Sequence, residues 1–167
     1  GPLRTMRAVL PIWCERGSGV IVNVSSIAGR VAPPYGGAYS ASKHALEAMS
    51  ESLHFEVSQL GIRVHLIQPG RFATGFQDNI VHPASWSGSP QEQRALAFRN
   101  SLTSLDGGGP PSDPQAVADA IVRAAIDPSM PFRTLVGEDA ALIDATKTSM
   151  SFEDFETTMR TALDWHD

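Results

Sequence analysis

Apolar residues along the chain switch between two spacings. Leu3, Met6, Leu10 and Trp13 recur at helical intervals and predict a first helix over 3–16, with Pro11 removing a backbone donor and kinking or shortening its last turn. Gly17-Ser18-Gly19 stops it. VIVNVSS (20–26) follows, β-branched and apolar on both parities, as in a central parallel strand buried on both faces. AGRVAPPYGGA (28–38) is rich in Gly and Pro and reads as a loop. Over 38–60 the stripe Ala41, Ala45, Met49, Leu53, Val57 and Leu60 predicts a long amphipathic helix, ended by Gly61 in the left-handed conformation that helix stops favour. IRVHLIQPG (62–70) is a second strand, closed by Pro69-Gly70. Strand, helix and strand with short joins make a parallel pair with a right-handed crossover.

Residues 71–111 form a long irregular excursion with one predicted helix, PQEQRALAFRNSL (90–102), and the breaker cluster DGGGPPSDP (106–114). Asp113 caps a further helix with Pro114 at its first position and Val117, Ile121 and Ala124 on its buried face. FRTLVG (132–137) is a third strand. In the last segment Ser151 and Asp154 form a loose capping arrangement, and Phe152, Phe155, Met159 and Leu163 a seam. The fold class is α/β: the C-terminal part of a doubly wound, Rossmann-type parallel sheet, about three strands with flanking helices, in one domain over 1–167.

Composition narrows the function. A net charge of −5 offers no basic field for nucleic acid. Apolar runs such as VIV (20–22) are far shorter than a membrane span, and no signal-peptide pattern opens the chain. With Cys14 as its one cysteine the chain forms no internal disulfide, which suits a reducing cytoplasm. The five histidines show no metal-ligand spacing, so no metal is assigned, and His44, His54 and His65 read as solvated or core-edge side chains.

Candidate chemistry centres on YSASK (39–43). Residues four apart on a helix lie one above the other, so the Tyr39 ring and the Lys43 ammonium share a face. A free phenol ionises near pH ~10, and a neighbouring cation favours the phenolate, which suits proton transfer. The pair alone reads equally as two solvated side chains. Ser26, thirteen residues earlier at the C-terminal end of the first strand, changes the weight, because ligands bind in the crevice beyond the carboxyl ends of parallel strands. Pro69-Gly70 lies at the same rim, and Thr74 before Gly75 is placed to cap a short helix whose N-terminus would receive phosphate.

VIVNVSS, YSASK and IQPGRFATGF, in this order and spacing, resemble the second half of a short-chain dehydrogenase/reductase. DPQAVADAIVRAA and FRTLVGEDA resemble more narrowly its 17β-hydroxysteroid dehydrogenase-like branch. The resemblance implies an NAD(P)-dependent oxidoreductase that interconverts a secondary alcohol and a ketone by hydride transfer. Tyr39 would be the general acid/base. Lys43 would support Tyr39 and bind the nicotinamide ribose, and Ser26 would hold the substrate oxygen. Pro69, Gly70, Phe72 and Thr74 would meet the nicotinamide end of NAD or NADP. The excursion at 71–111 would form the substrate side, with Phe76 and Trp86 lining a pocket for a small apolar alcohol or carbonyl compound.

The family's Gly-rich pyrophosphate turn is not in the sequence, since GGGPP (107–111) follows no strand, and the family's catalytic asparagine would fall before Gly1. The expectation is an incomplete Rossmann-type domain with impaired coenzyme binding and turnover, and with one open edge on strand 20–25. A non-catalytic assembly module that dimerises through helices 3–16 and 38–60, as a homo-oligomer, is the alternative.

Overall fold

The computed structural model describes residues 1–82, 84–106 and 112–165, without the side chains of Gln77, Leu105 and Asp106. Three strands, β1 (Gly19–Val24), β2 (Ile62–Pro69) and β3 (Arg133–Val136), form one parallel sheet in the order β1-β2-β3. Before β1 runs α1 (Pro2–Arg16), and α2 (Gly37–Val57) connects β1 to β2. The excursion holds α3 (Pro90–Ser101) between short 3-10 turns. Then come α4 (Gln115–Ile126), α5 (Glu138–Thr148) after β3, and α6 (Phe152–Ala162). The α/β class and the three-strand sheet match the expectation from sequence.

The middle of the sheet is β2; the strand at 20–26, apolar on both parities like a central one, lies at the open edge that the sequence also leads one to expect. Ile62, Val64, Leu66 and Ile67 of β2 are almost fully buried, each contributing roughly 1.5–3 kcal/mol through burial. β1 is bonded on one side only among the described residues, with Val20 and Val22 half-buried and Val24 exposed. An apolar run with no partner on one edge cannot be told by composition from a central strand.

One face of the sheet takes α1 and α2: Met6, Leu53 and Val57 pack on Ile21, Ile62 and Val64. The other takes α4. There Arg63, which points opposite to Ile62 and Val64 because strand side chains alternate, donates to carbonyls at the end of α4, those of Ala125 at 2.9 Å and of the C-cap Asp127 at 3.0 Å. It satisfies acceptors that a helix C-terminus leaves open and places a cation at the negative end of its dipole.

The predicted stripe on α2 is partly wrong. Its buried positions are Ser40, Leu46, Glu47, Ser50, Leu53 and Val57, while Ala41, Ala45 and Leu60 are exposed. Asn23 of β1 donates to Ser50 Oγ at 2.8 Å, so small hydroxyls let the N-terminal part of α2 approach the sheet closely. Gly61 does stop the helical run at φ 75°, in the left-handed region. In the last segment Leu163 is buried, Phe155 packs on Ile27, Val31 and Ala140, and Phe152 is exposed instead of joining the seam. Helix α5 has no counterpart in the sequence-based elements.

Candidate active site

The carboxyl ends of β1 and β2 gather the polar residues that the motifs single out. Ser26 lies two residues past β1 with extended backbone and caps the 3-10 turn Ile27–Gly29. Its Oγ accepts from the Ala28 N–H at 3.1 Å and donates to the Pro69 carbonyl at 3.4 Å, linking the ends of both strands. Tyr39 sits in the first turn of α2 and Lys43 one turn later. The Lys43 ammonium lies 5.6 Å from the centre of the Tyr39 ring and donates to the carbonyl of Val24, the last residue of β1, at 2.9 Å. Lys43 and Ser26 are thereby fixed to one strand end. Tyr39 is 36% exposed, and Phe76 leans on its ring with centroids 5.2 Å apart.

Burial pushes the Lys43 ammonium below its ordinary range, and Glu47, one turn further along α2, pulls it back up. Glu47 is 6% exposed and fully engaged. Its Oε1 accepts from Gln68 Nε2 at 3.0 Å, and its Oε2 accepts from Arg133 Nε at 3.0 Å. The same guanidinium reaches Glu51 through Nη2.

After β2 the chain turns under a second buried carboxylate. Asp139, in the first turn of α5 and 3% exposed, accepts from the Arg71 N–H at 2.7 Å. A Cβ on Gly70 would collide with this carboxylate, and one on Gly137, whose φ is +105°, would come within 2.6 Å of Oδ1. Close approach thus favours glycine at 70, and the left-handed backbone favours it at 137. Phe72 lies in a parallel bridge to Ser112, and the Ala73 N–H donates to the Ser112 carbonyl at 3.0 Å.

Thr74 does not cap an α-helix. Its Oγ1 accepts from the Phe76 N–H at 3.4 Å, and the next element is one 3-10 turn at Gln77–Asn79, too short to present a helix N-terminus to phosphate. Trp86 and Phe76 also part company. Trp86 meets Tyr35 edge-on at 6.5 Å and stacks on His82 at 5.1 Å, walling a cavity of about 270 Å³ with Ile80, Leu96, Asp78 and Arg99, while Phe76 stays with Tyr39. Of the histidines, His65 is buried, its Nδ1 3.0 Å from the Pro131 carbonyl. Among the described residues no cluster of three or more His, Cys, Asp or Glu is placed to hold a metal, and no helix is long and apolar enough to cross a membrane.

Glu47, Gln68 and Asp139 are absent from the motif-based set. The available signal at Glu47 was a carboxylate four residues after Lys43 on the same helix face. Asp139 carried a weaker one: an acidic residue two places after a glycine that ends a strand.

The model of a family described as short chain dehydrogenase matches residues 1–84. A 3-ketodihydrosphingosine reductase of Bacteroides thetaiotaomicron is 39% identical over 138 residues, which are 82% of this chain and 51% of the relative. An uncharacterized oxidoreductase of Escherichia coli, YbbO, is 40% identical over 122 residues, 73% of this chain and 40% of the relative. Among solved structures, a short-chain dehydrogenase from Streptomyces avermitilis superposes with a TM-score of 0.68 at 29% identity, covering 99% of this chain and 59% of that one. A 4-hydroxyisoleucine dehydrogenase complexed with NADH gives 0.59 at 27% identity, covering 81% and 52%. The chain spans about half the length of the curated relatives it matches.

Proposed function

The chain belongs to the short-chain dehydrogenase family, and from that premise we propose that it serves the interconversion of a secondary alcohol and a ketone with NAD or NADP, Tyr39 acting as general acid/base. The observation that carries this reading is the anchoring of Lys43 beside the Tyr39 ring at the end of β1 and of Ser26 beside Pro69 at the adjoining end of β2. In the reductive direction the Tyr39 hydroxyl gives its proton to the carbonyl oxygen, and in the oxidative direction its phenolate takes one from the alcohol. Ser26 holds the substrate oxygen, exchanging its long hydrogen bond to Pro69 for one to the substrate.

The donor set at this rim fits the nicotinamide end of the coenzyme. Lys43 commits one of its three N–H groups to Val24, which leaves donors for ribose hydroxyls. Pro69, Gly70, Phe72 and Thr74 would face the carboxamide side. When bound, the coenzyme supplies or accepts the hydride, and the protein's part is orientation and proton transfer.

For substrate we propose an apolar ketone or alcohol, with residues 71–111 as the substrate side, of which 83 and 107–111 lie outside the described residues. The exposed aromatic rings of Phe76 and Tyr35 support this, as does a relative named for reduction of a keto lipid. Placement in the 17β-hydroxysteroid dehydrogenase-like branch, carried by DPQAVADAIVRAA and FRTLVGEDA, belongs to the same proposal.

The test is reduction of an apolar ketone by the 167-residue chain with NADH or NADPH, followed through the nicotinamide absorbance. Tyr39→Phe is expected to lower the rate by about 10²–10⁴-fold with the fold unchanged by circular dichroism. A rate that survives the substitution overturns the reading. A second reading, a non-catalytic assembly module, is favoured by the apolar side chains that α1 and α2 leave exposed, Leu3, Ile12 and Phe55 at 50%, 64% and 72%. A folded dimer inert towards every coenzyme and ketone would support it.

A further inference from the structure

We propose that Glu47 is a positioning residue for the Tyr39–Lys43 pair: its carboxylate, tied to β2 by Gln68 and to β3 by Arg133, supplies the negative charge that Lys43 faces at the site. The inference rests on the reading of Tyr39 and Lys43 as a proton-transfer pair.

A carboxylate this deep is costly unless its oxygens are satisfied and its charge is matched. Each oxygen accepts one hydrogen bond, Oε1 from Gln68 and Oε2 from Arg133. The charges do not balance. Gln68 is neutral, and the one guanidinium is divided between Glu47 and Glu51, so two carboxylates share a single cation. Arg30, the other cation that acts on Glu51, is engaged by Asp144 of α5 at 2.9 Å. From β1 comes only the Val24 carbonyl. Among the described residues the cation left to meet the surplus is Lys43, one turn back on the same face of α2, and the attraction of Glu47 is what opposes the effect of burial there.

A brace between helix and sheet needs acceptors but no surplus charge, and this separates the two roles. Lys43 and Lys147 are the chain's two lysines, so lysine isotope-labelled at Cε yields two titrating signals in the full chain. Glu47→Gln is expected to raise the acid dissociation constant of Lys43 about tenfold. Arg133→Gln leaves the Glu47 charge less compensated and is expected to lower that constant by about the same factor. Lys147 stays within about twofold in both, serving as the reference for an intact fold. Loss of a brace would move Lys43 the same way in both variants, so parallel shifts, or none, overturn the proposal. Should Glu47→Gln fail to fold, Arg133→Gln decides alone: a more acidic or unchanged Lys43 is the contrary result. The titration uses neither coenzyme nor turnover. Opposed shifts together with a ketone-reduction rate that survives Tyr39→Phe would sink the functional reading and leave the charge linkage standing, whereas an unmoved Lys43 in a chain whose rate falls with Tyr39→Phe would sink this inference alone.

Discussion

Lys43 is kept in the folded chain against its own preference. Burial disfavours its ammonium more than Glu47 restores it, so its folded midpoint lies below the unfolded value of about 10.4. Between these two values the unfolded chain binds the additional proton, and the stability contributed by this group rises with pH; below the folded midpoint the whole penalty is present. Lys43→Met removes the penalty and gives up the bond to Val24. The variant is expected to unfold at an equal or higher temperature than the parent at pH ~7, with its advantage shrinking towards pH ~10, as scanning calorimetry across that range would read. A clear loss at neutral pH would mean that the Val24 bond outweighs the desolvation. At this scale the spacing in the sequence anticipated placement, putting Lys43 beside the Tyr39 ring and Ser26 just past the end of β1. It was silent on Gln68 and Arg133, because the partners of Glu47 stand 21 and 86 residues away and a helical glutamate reads as a solvated one.

Helix α2 shows why element boundaries were easier to read than element faces. Its extent is set by the Gly stop at 61 and the Gly-rich loop before it, yet alanine is so weak a marker of burial that Ala41 and Ala45 misdirected the stripe. The face on the sheet is polar near the site because it holds Ser40, Lys43, Glu47 and Ser50 over strand ends that carry polar groups of their own. Helix α5 escaped notice for a related reason: its first turn is acidic, and Asp139, one of those acids, is turned inward. Helix α6 was legible from its start signal. Ser151 Oγ accepts from the Asp154 N–H at 3.1 Å and donates to the Asp154 carboxylate at 2.8 Å. Ser151→Ala is accordingly expected to cost about 1 kcal/mol, read as a lowered midpoint in urea denaturation at unchanged slope. An unchanged midpoint would mean that water replaces the cap at no loss.

For the molecule as a whole the decisive feature is the outer side of β1. A strand that pairs on one side presents a row of unpaired N–H and C=O groups, and here Val24 is exposed beside them. The 167-residue chain is therefore expected to associate in a concentration-dependent way, seen as a sedimentation coefficient that climbs with protein concentration. A single monomeric species up to high concentration would show that the edge is protected. The parallel pairing of the first two strands was readable because strand, helix and strand with short joins admit few topologies; the place of the third strand was not, since it depends on what lies alongside.

The turn after β2 and the entry to α5 cannot drift apart over evolutionary time. The Asp139 carboxylate crowds position 70, while Gly137, beyond the excursion, α4 and β3, is favoured by its left-handed backbone as well. Homologues that place a bulkier residue at 70 should carry a shortened side chain at 139. Positions 70 and 139 would then be inherited as a pair, while the intervening loops are free to diversify towards new ligands.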